Sequence, residues 1–179
     1  MKLSVELDGT GAAAINTGVG FYDHLLESFA HHSLIDLEVN TDGDLHIDEH
    51  HTVEDTALVL GSALAEALGD RASIQRFGSA TVPMDEALAT AAVDVGGRPY
   101  TVVDIAFATE RLGQLGTQMI PHALEALART AGFTLHVTAR GSNDHHIAEA
   151  AFKAIARAMR KAIEADPRRT GIPSTKGST

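Results

Sequence analysis

Two copies of one histidine-rich pattern are the residues of this chain best suited to chemistry. The pattern reads His-His-x-x-Glu and occurs at residues 50–54 and again at residues 145–149. Each copy opens an apolar stretch that we predict to be a helix, and residues four apart lie on one face of a helix. The first histidine and the glutamate of each copy could therefore bind one metal ion, while the second histidine points elsewhere and is available to another. Two such motifs facing each other predict a dinuclear metal centre.

Two single histidines occupy matched positions in the chain. His24 and His122 each lie in an apolar stretch of helical character, about 25 residues before a His-His pair. Their matched positions make both of them candidate ligands. The remaining histidines are assigned structural roles, which are the commoner fate of this residue type: His31, His32, His46 and His136.

The ligand types limit the choice of ion. The chain has no cysteine, so imidazole and carboxylate groups are the available donors. These donors suit manganese, zinc, iron or cobalt, and they disfavour a pure calcium or magnesium site. Asp48, Asp55 and Asp144 stand beside the ligands. Their carboxylates could orient the imidazole rings of the ligands. They could instead cap the N-termini of the helices or interact with the helix dipoles, and for Asp48 and Asp144 the sequence favours neither role.

The bulk composition excludes several classes of function. The chain has 179 residues and a formal charge of −10, which disfavours non-specific binding to nucleic acid or to an anionic membrane. It has no apolar run long enough to span a bilayer and no signal-peptide pattern at its N-terminus. We therefore expect a cytoplasmic protein. An anionic substrate would have to be met by local arginines and lysines.

The elements that must position these residues repeat along the chain. Alternating apolar residues predict strands, and apolar residues at helical spacing predict helices. The predicted strands cover residues 3–7, 12–16, 34–40, 45–47, 80–84, 87–95, 100–107 and 134–138, and the predicted helices cover residues 21–30, 51–68, 114–130 and 146–165. The same order in both halves predicts an internally duplicated α+β domain spanning residues 1–179. Its repeats would be about 1–78 and 79–165, with a tail at 166–179.

The chain resembles the imidazoleglycerol-phosphate dehydratases. The two signatures that carry the resemblance are Asp48-Glu49-His50-His51-Thr52-Val53-Glu54-Asp55 and Asn143-Asp144-His145-His146-Ile147-Ala148-Glu149-Ala150. It continues in order through Leu7-Asp8-Gly9-Thr10-Gly11, Phe21-Tyr22-Asp23-His24, Gln75-Arg76-Phe77-Gly78, Pro83-Met84-Asp85-Glu86-Ala87, Gly97-Arg98-Pro99 and Pro173-Ser174-Thr175-Lys176-Gly177. It therefore covers essentially the whole chain.

The resemblance implies an activity and a ligand set. The activity is dehydration of imidazole glycerol phosphate to imidazole acetol phosphate in histidine biosynthesis, with two manganese ions per active site. One ion would take His24, His51, His145 and Glu149, and the other would take His50, Glu54, His122 and His146. The catalytic centre would comprise His50, His51, His145, His146 and Glu149. The substrate would be bound by Arg76, Arg98, Lys153, Ser174 and Lys176, although each cation could instead be a solvated surface charge.

The resemblance also implies an architecture and an assembly. Each half would be a four-stranded sheet with two helices, and the helices would be sandwiched between the two sheets. The chains would form trimers and then a shell of 24 subunits, with active sites pooled from neighbouring subunits.

The resemblance places a glutamate implicated in acid–base catalysis before the first strand, at a position that would precede Met1. We therefore expect metal binding and assembly to be retained and turnover to be the property at risk. The alternative function is a catalytically impaired, N-terminally shortened shell protein of the same family that binds metal. A dinuclear hydrolase would also fit the metal ligands, but no other sequence feature supports it.

Overall fold

A computed structural model describes residues 1–174 of the chain, so the predicted phosphate ligand Lys176 lies outside the described residues. The helices are α1 (Gly20–Ser33), α2 (His50–Leu68), α3 (Met119–Ala131) and α4 (Asp144–Ile163). The strands are β1 (Lys2–Glu6), β2 (Ala13–Asn16), β3 (Asp36–Asn40), β4 (Phe77–Met84), β5 (Ala87–Asp94), β6 (Tyr100–Ile105), β7 (Arg111–Leu112), β8 (Leu115–Gly116) and β9 (Thr134–Arg140).

The two main sheets repeat one topology. The first has the order β1-β3-β2, with β1 antiparallel and β2 parallel to β3. The second has the order β4-β5-β9-β6, with β5 antiparallel and β6 parallel to β9. Strands β5, β9 and β6 thus repeat β1, β3 and β2, and the prediction of an internally duplicated α+β fold is confirmed. Within residues 1–174, β4 has no counterpart in the first half.

The strand predicted at residues 45–47 is wrong. This segment is a turn, closed by a hydrogen bond from the Ile47 N–H to the Asp44 carbonyl. Its alternating apolar residues do not face the core, since Leu45 is 39% and Ile47 65% exposed. The first sheet consequently has three strands in the described residues rather than the expected four.

The helices form two layers between the sheets, as predicted. Helix α1 packs on α4 and α2 on α3, while the sheets cover their outer sides. The inward residues of β5 are small, and α4 is rich in buried alanines, so helix and sheet approach closely. A second close approach joins α2 to α3 at Gly61, where a Cβ would collide with the Leu127 carbonyl and the Thr130 hydroxyl.

The helix predicted at residues 114–130 begins later, at Met119. The preceding residues instead form the β7–β8 hairpin, which turns at Gly113 with a φ of 60°. Helix α3 is followed by Gly132 in the left-handed conformation, and α1 is followed in the same way by Leu34, so the two equivalent helices end alike. No helix in the described part of the chain has the length and hydrophobicity needed to cross a bilayer.

Candidate metal centre

The first cluster of candidate ligands consists of His24, His145 and Glu149. Glu149 follows His145 by one helical turn on α4, and the α1–α4 contact brings His24 beside them. Glu149 Oε1 lies 2.8 Å from Nε2 of His145 and 3.3 Å from Nε2 of His24. Phe21, one turn before His24, packs its ring 5.0 Å from the His145 ring and forms an apolar wall.

The second cluster consists of His50, Glu54 and His122. His50 and Glu54 lie on the first turns of α2, and the α2–α3 contact supplies His122. Glu54 Oε2 lies 3.7 Å from Nε2 of His50 and 3.5 Å from Nε2 of His122. In both clusters the candidate ligand atoms lie within 4.8 Å of one another.

The residues of both clusters fit a metal ion. Each cluster offers two imidazole nitrogens and one carboxylate, a donor set that suits a divalent transition metal. The Nε2 atom of His122 is buried and makes no hydrogen bond with any residue of the described range 1–174, although it faces Glu54. A buried polar atom without a partner is costly, and a bound cation would satisfy it.

Each cluster combines the two halves of the duplicated fold. His24 and His50 with Glu54 come from the first half, whereas His122 and His145 with Glu149 come from the second. The paired helices α1–α4 and α2–α3 therefore position the candidate ligands, and both His-x-x-x-Glu pairs predicted from helical spacing are present.

His51 and His146 lie in neither cluster. The structure instead places a carboxylate at the Nδ1 atom of each ring. His51 Nδ1 lies 2.8 Å from Oδ2 of Asp44, and His146 Nδ1 lies 2.8 Å from Oε2 of Glu86. Within one chain, the structure does not bring together the full ligand sets that the resemblance implies.

Glu149 is a charged residue with little exposure to solvent, only 7%. Burial acts to raise the pKa of its carboxyl, but Lys153 and the imidazoles of His24 and His145 oppose burial and lower that pKa to about 2. The carboxylate is therefore ionised over the whole physiological range, as a metal ligand must be. Lys153, predicted as a substrate ligand, is thus close to the first cluster.

Three other predicted substrate ligands lie at a different end of the molecule from the clusters: Arg76, Arg98 and Ser174. Arg76 donates to both carboxylate oxygens of Asp94, at 2.7 and 3.0 Å, and to the Pro173 carbonyl, which precedes Ser174. Asp94 raises the pKa of Arg76, so its guanidinium is a permanent cation. Arg98 is exposed in the turn before β6.

That end of the molecule is remote from the clusters. The Arg76 N–H bonds to the Ala162 carbonyl near the end of α4, whereas His145 lies at the start of the same helix. The rise of a helix places Ala162 about 25 Å from His145. Arg98 likewise lies beside the C-terminal end of α3, because its carbonyl accepts from Thr134 just beyond Gly132.

Sequence reasoning missed Asp44 and Glu86, and it left the roles of Asp48 and Asp144 undecided. Asp48 caps the start of α2 by accepting the His50 N–H. Asp144 accepts hydrogen bonds from the Ala108 and Thr109 N–H groups and from the Thr109 hydroxyl, so it anchors a loop and orients no described imidazole.

Glu49 has an anchoring role like that of Asp144. Its Oε1 accepts one hydrogen bond from the Gly116 N–H and lies 3.0 Å from the Arg111 guanidinium. The acidic residue immediately before each His-His pair therefore holds the segment between β6 and α3. An acid in the same place before both pairs was the signal available in the sequence.

This chain is similar to known proteins in both its sequence and its fold. The profile of the family described as imidazoleglycerol-phosphate dehydratase matches residues 17–159. The imidazoleglycerol-phosphate dehydratase of Dinoroseobacter shibae is 54% identical over 99% of this chain and 92% of its own length, and that of Sinorhizobium fredii is 51% identical over 99% and 89%.

Two solved structures are similar over most of the chain. The crystal structure of the Staphylococcus aureus imidazoleglycerol-phosphate dehydratase superposes with a TM-score of 0.84 at 37% identity, covering 91% of this chain and 93% of that one. The Pyrococcus furiosus enzyme superposes with a TM-score of 0.79 at 32% identity, covering 99% and 95%. With duplicated sheets, paired histidine motifs and this extent of similarity, the chain belongs to the imidazoleglycerol-phosphate dehydratase family of hydro-lyases.

Proposed function

We propose that this chain dehydrates imidazole glycerol phosphate to imidazole acetol phosphate, as a cytoplasmic enzyme of histidine biosynthesis. The observation that carries the proposal is the pair of two-imidazole, one-carboxylate clusters, built by helices of both halves in a chain of this family. The acidic chain would meet its phosphate substrate through local cations, of which Lys153 is the one nearest a cluster.

The two clusters would each hold one ion of a dinuclear centre. The first cluster would be completed by His51 and the second by His146, giving three imidazoles and one carboxylate to each ion. Manganese is the ion we propose, while the donor set also suits zinc, iron or cobalt. When bound, the ions would supply Lewis-acid polarisation and a template for the substrate.

The active site would be shared between copies of this chain. His51 and His146 stand outside the clusters, held by Asp44 and Glu86. Arg76 and Arg98 lie at the ends of α4 and α3 remote from His145 and His122, a separation larger than a small phosphate substrate can span. A neighbouring copy could supply both missing imidazoles and arginines. This supports a homo-oligomer, for which we propose trimers assembled into 24 subunits.

The chain's own residues have distinct parts in this site. Glu149 stays ionised because Lys153 and two imidazoles offset its burial, and so it offers a charged donor at neutral pH. The Lys153 ammonium lies 2.7 Å from Oε2 of Glu149 and donates to Sδ of Met84 at 3.3 Å, so one of its three N–H groups is left for an anionic group. The Phe21 ring beside His24 and His145 would limit water on that side of the first cluster.

Arg76 and Ser174 would bind the phosphate from a second copy. Arg76 already holds the Pro173 carbonyl, which brings Ser174 close to a permanent cation. A planar guanidinium is suited to two phosphate oxygens at once. Arg98 would contribute from the neighbouring turn, and Lys176 from the tail.

The test is turnover of imidazole glycerol phosphate by the manganese-loaded chain, with metal content measured on the same sample. Product formation that is lost in Glu149→Gln and retained in Glu125→Gln, an exposed residue of α3, would support the proposal. No turnover by a sample holding two ions per chain would overturn it and would favour the non-catalytic metal-binding shell protein.

A further inference from the structure

His51 and His146 share an arrangement that the four clustered histidines do not have with any residue the structure describes. Their Nδ1 atoms each lie 2.8 Å from a carboxylate oxygen, of Asp44 and of Glu86 respectively. The clustered histidines instead direct Nε2 atoms towards Glu54 or Glu149. A carboxylate at Nδ1 fixes the ring proton there, because an ionised carboxylate can only accept. The lone pair of the neutral ring is then on Nε2.

From this geometry we propose that Asp44 and Glu86 are positioning residues for a metal centre. Each holds one imidazole as the Nδ1–H tautomer and in one orientation, so that Nε2 of His51 and of His146 is presented as a metal donor. The inference rests on the proposed function in one respect: it requires that these two histidines bind metal. A carboxylate that accepts the other ring N–H commonly orients a metal-bound histidine and raises its basicity.

The Glu86 carboxylate is held from several sides. Its Oε1 accepts the N–H groups of Ser142 and Asn143 at 3.2 and 2.8 Å, which leaves Oε2 for His146. Glu86 occupies the two-residue turn between β4 and β5, where Asp85 has a φ of 49°. Asp85 Oδ2 also lies 3.8 Å from Nε2 of His146. The second sheet therefore fixes the His146 ring through a rigid hairpin.

The Asp44 carboxylate contacts a histidine that is close to it in the sequence. It lies in the turn before α2, and its side chain contacts His51 seven residues further on. The backbone of the turn is closed by the Ile47 N–H bonding to the Asp44 carbonyl, which a substitution of the side chain leaves in place. Substituting Asp44 therefore isolates the effect on the imidazole, whereas substituting Glu86 also removes an acceptor from the start of α4.

Four variants of the full chain test the inference: Asp44→Ala, Asp44→Asn, Glu86→Ala and Glu86→Gln. The side-chain oxygens of Asn and Gln still accept from an Nδ1–H, whereas Ala cannot. Affinity for manganese would be measured by competition titration. Cobalt(II) absorption spectra would report the coordination of the bound ion, and thermal unfolding without metal would report the fold. Asp42→Ala, at an exposed position two residues before Asp44, is the matched control.

We expect Asp44→Ala to weaken manganese binding about 10- to 100-fold and to alter the cobalt spectrum. Asp44→Asn should restore most of the affinity, and none of the Asp44 or Asp42 variants should change unfolding of the metal-free chain. Glu86→Ala should lower both affinity and unfolding temperature, while Glu86→Gln recovers affinity more than Ala does.

Wild-type affinity and spectrum in Asp44→Ala and Glu86→Ala would overturn the inference, and so would failure of the wild-type chain to bind manganese or cobalt. These readouts need no turnover. A chain that binds two ions and shows the expected variant effects, but does not dehydrate the substrate, would overturn the proposed function and leave the positioning roles standing.

Discussion

The Lys153 ammonium lies 2.7 Å from Oε2 of Glu149, and Oε1 of the same carboxylate lies 2.8 Å from Nε2 of His145. One carboxylate thus faces a cation on one side and the imidazoles of the first cluster on the other. Lys153 follows Glu149 by one turn of α4, so the helix itself fixes this relationship. It joins a candidate metal ligand to a candidate phosphate ligand.

Replacing Lys153 tests whether this residue binds the substrate. Lys153→Gln removes the positive charge, and charge-assisted hydrogen bonds contribute about 1.5–3 kcal/mol. We expect KM for imidazole glycerol phosphate to rise about 10- to 100-fold, while the chain still holds two metal ions. Lys161→Gln is the matched control, because Lys161 lies two turns further along α4 and donates to the Ser79 carbonyl. An unchanged KM in Lys153→Gln would show that this lysine does not contact the substrate.

The two glutamates should control one metal ion each. Glu54→Gln and Glu149→Gln each replace the only carboxylate of their cluster by a neutral amide. We expect elemental analysis to find about one ion per chain in either variant and almost none in the double variant, because an amide is a much poorer ligand. Glu125→Gln should retain two. Loss of both ions in one single variant would mean that the clusters do not bind independently.

The contact of α2 with α3 at Gly61 should be sensitive to a single methyl group. Alanine favours a helix by about 1 kcal/mol relative to glycine, but here the added Cβ meets the Leu127 carbonyl and the Thr130 hydroxyl. Because a backbone carbonyl cannot move without shifting α3, we expect Gly61→Ala to lower the free energy of unfolding by about 1–3 kcal/mol. Urea unfolding measures this.

The control for Gly61 is Gly20→Ala, since a Cβ at Gly20 has no described atom within 4 Å. Gly61→Ala should also weaken metal binding at the second cluster, whose candidate ligands lie on α2 and α3, and should leave metal binding at the first cluster unchanged. A stability equal to that of Gly20→Ala would contradict the close approach.

Asp36 should make stability depend on pH in the acid range. The N–H groups of Ala12 and Thr10 donate to its carboxylate and hold the pKa below the ordinary value of 3.8. Its contribution is therefore fully present above pH 3.8 and is lost as the pH falls through the lower pKa of the folded state. Asp36→Asn should reduce stability at pH 7 and flatten the acid limb of a stability–pH curve.

Denaturant unfolding between pH 2 and pH 7 provides the check for Asp36, with Asp8→Asn as a nearby exposed control. Parallel curves for wild type and Asp36→Asn would show that the carboxylate has the same pKa in the folded and unfolded states.

The local parts of the candidate site could be predicted from the sequence. His145 and Glu149 share a helix face by spacing alone, and duplication identified His24 and His122 through their matched positions. Glu86 could not be predicted this way, because it meets His146 across 60 residues of chain and only the β4–β5 hairpin brings them together. Contacts of this kind depend on sheet packing, which a linear pattern does not encode.

The same distinction explains the errors in the fold. Leu45 and Ile47 alternate with polar residues as a strand would, but no neighbouring strand pairs with them in the described residues, and a turn forms. The helix predicted from residue 114 begins only at Met119, because the Gly116 N–H donates a hydrogen bond to Glu49 beside the start of α2. Local propensity was therefore overridden in the first place by the lack of a pairing strand and in the second by a tertiary contact.

The contribution of both halves to each cluster suggests how such a protein could have arisen. Each cluster takes its candidate ligands from helices of both halves. A single half on its own therefore contributes one lone histidine to one cluster and one His-x-x-x-Glu pair to the other. An unduplicated ancestor could have assembled such a cluster only by pairing with a second copy of itself. Fusion of the two copies would then have made that pairing permanent and left each half free to change separately. The carboxylates at His51 and His146 differ between the halves in this way, since Asp44 precedes α2 and Glu86 lies in the β4–β5 turn.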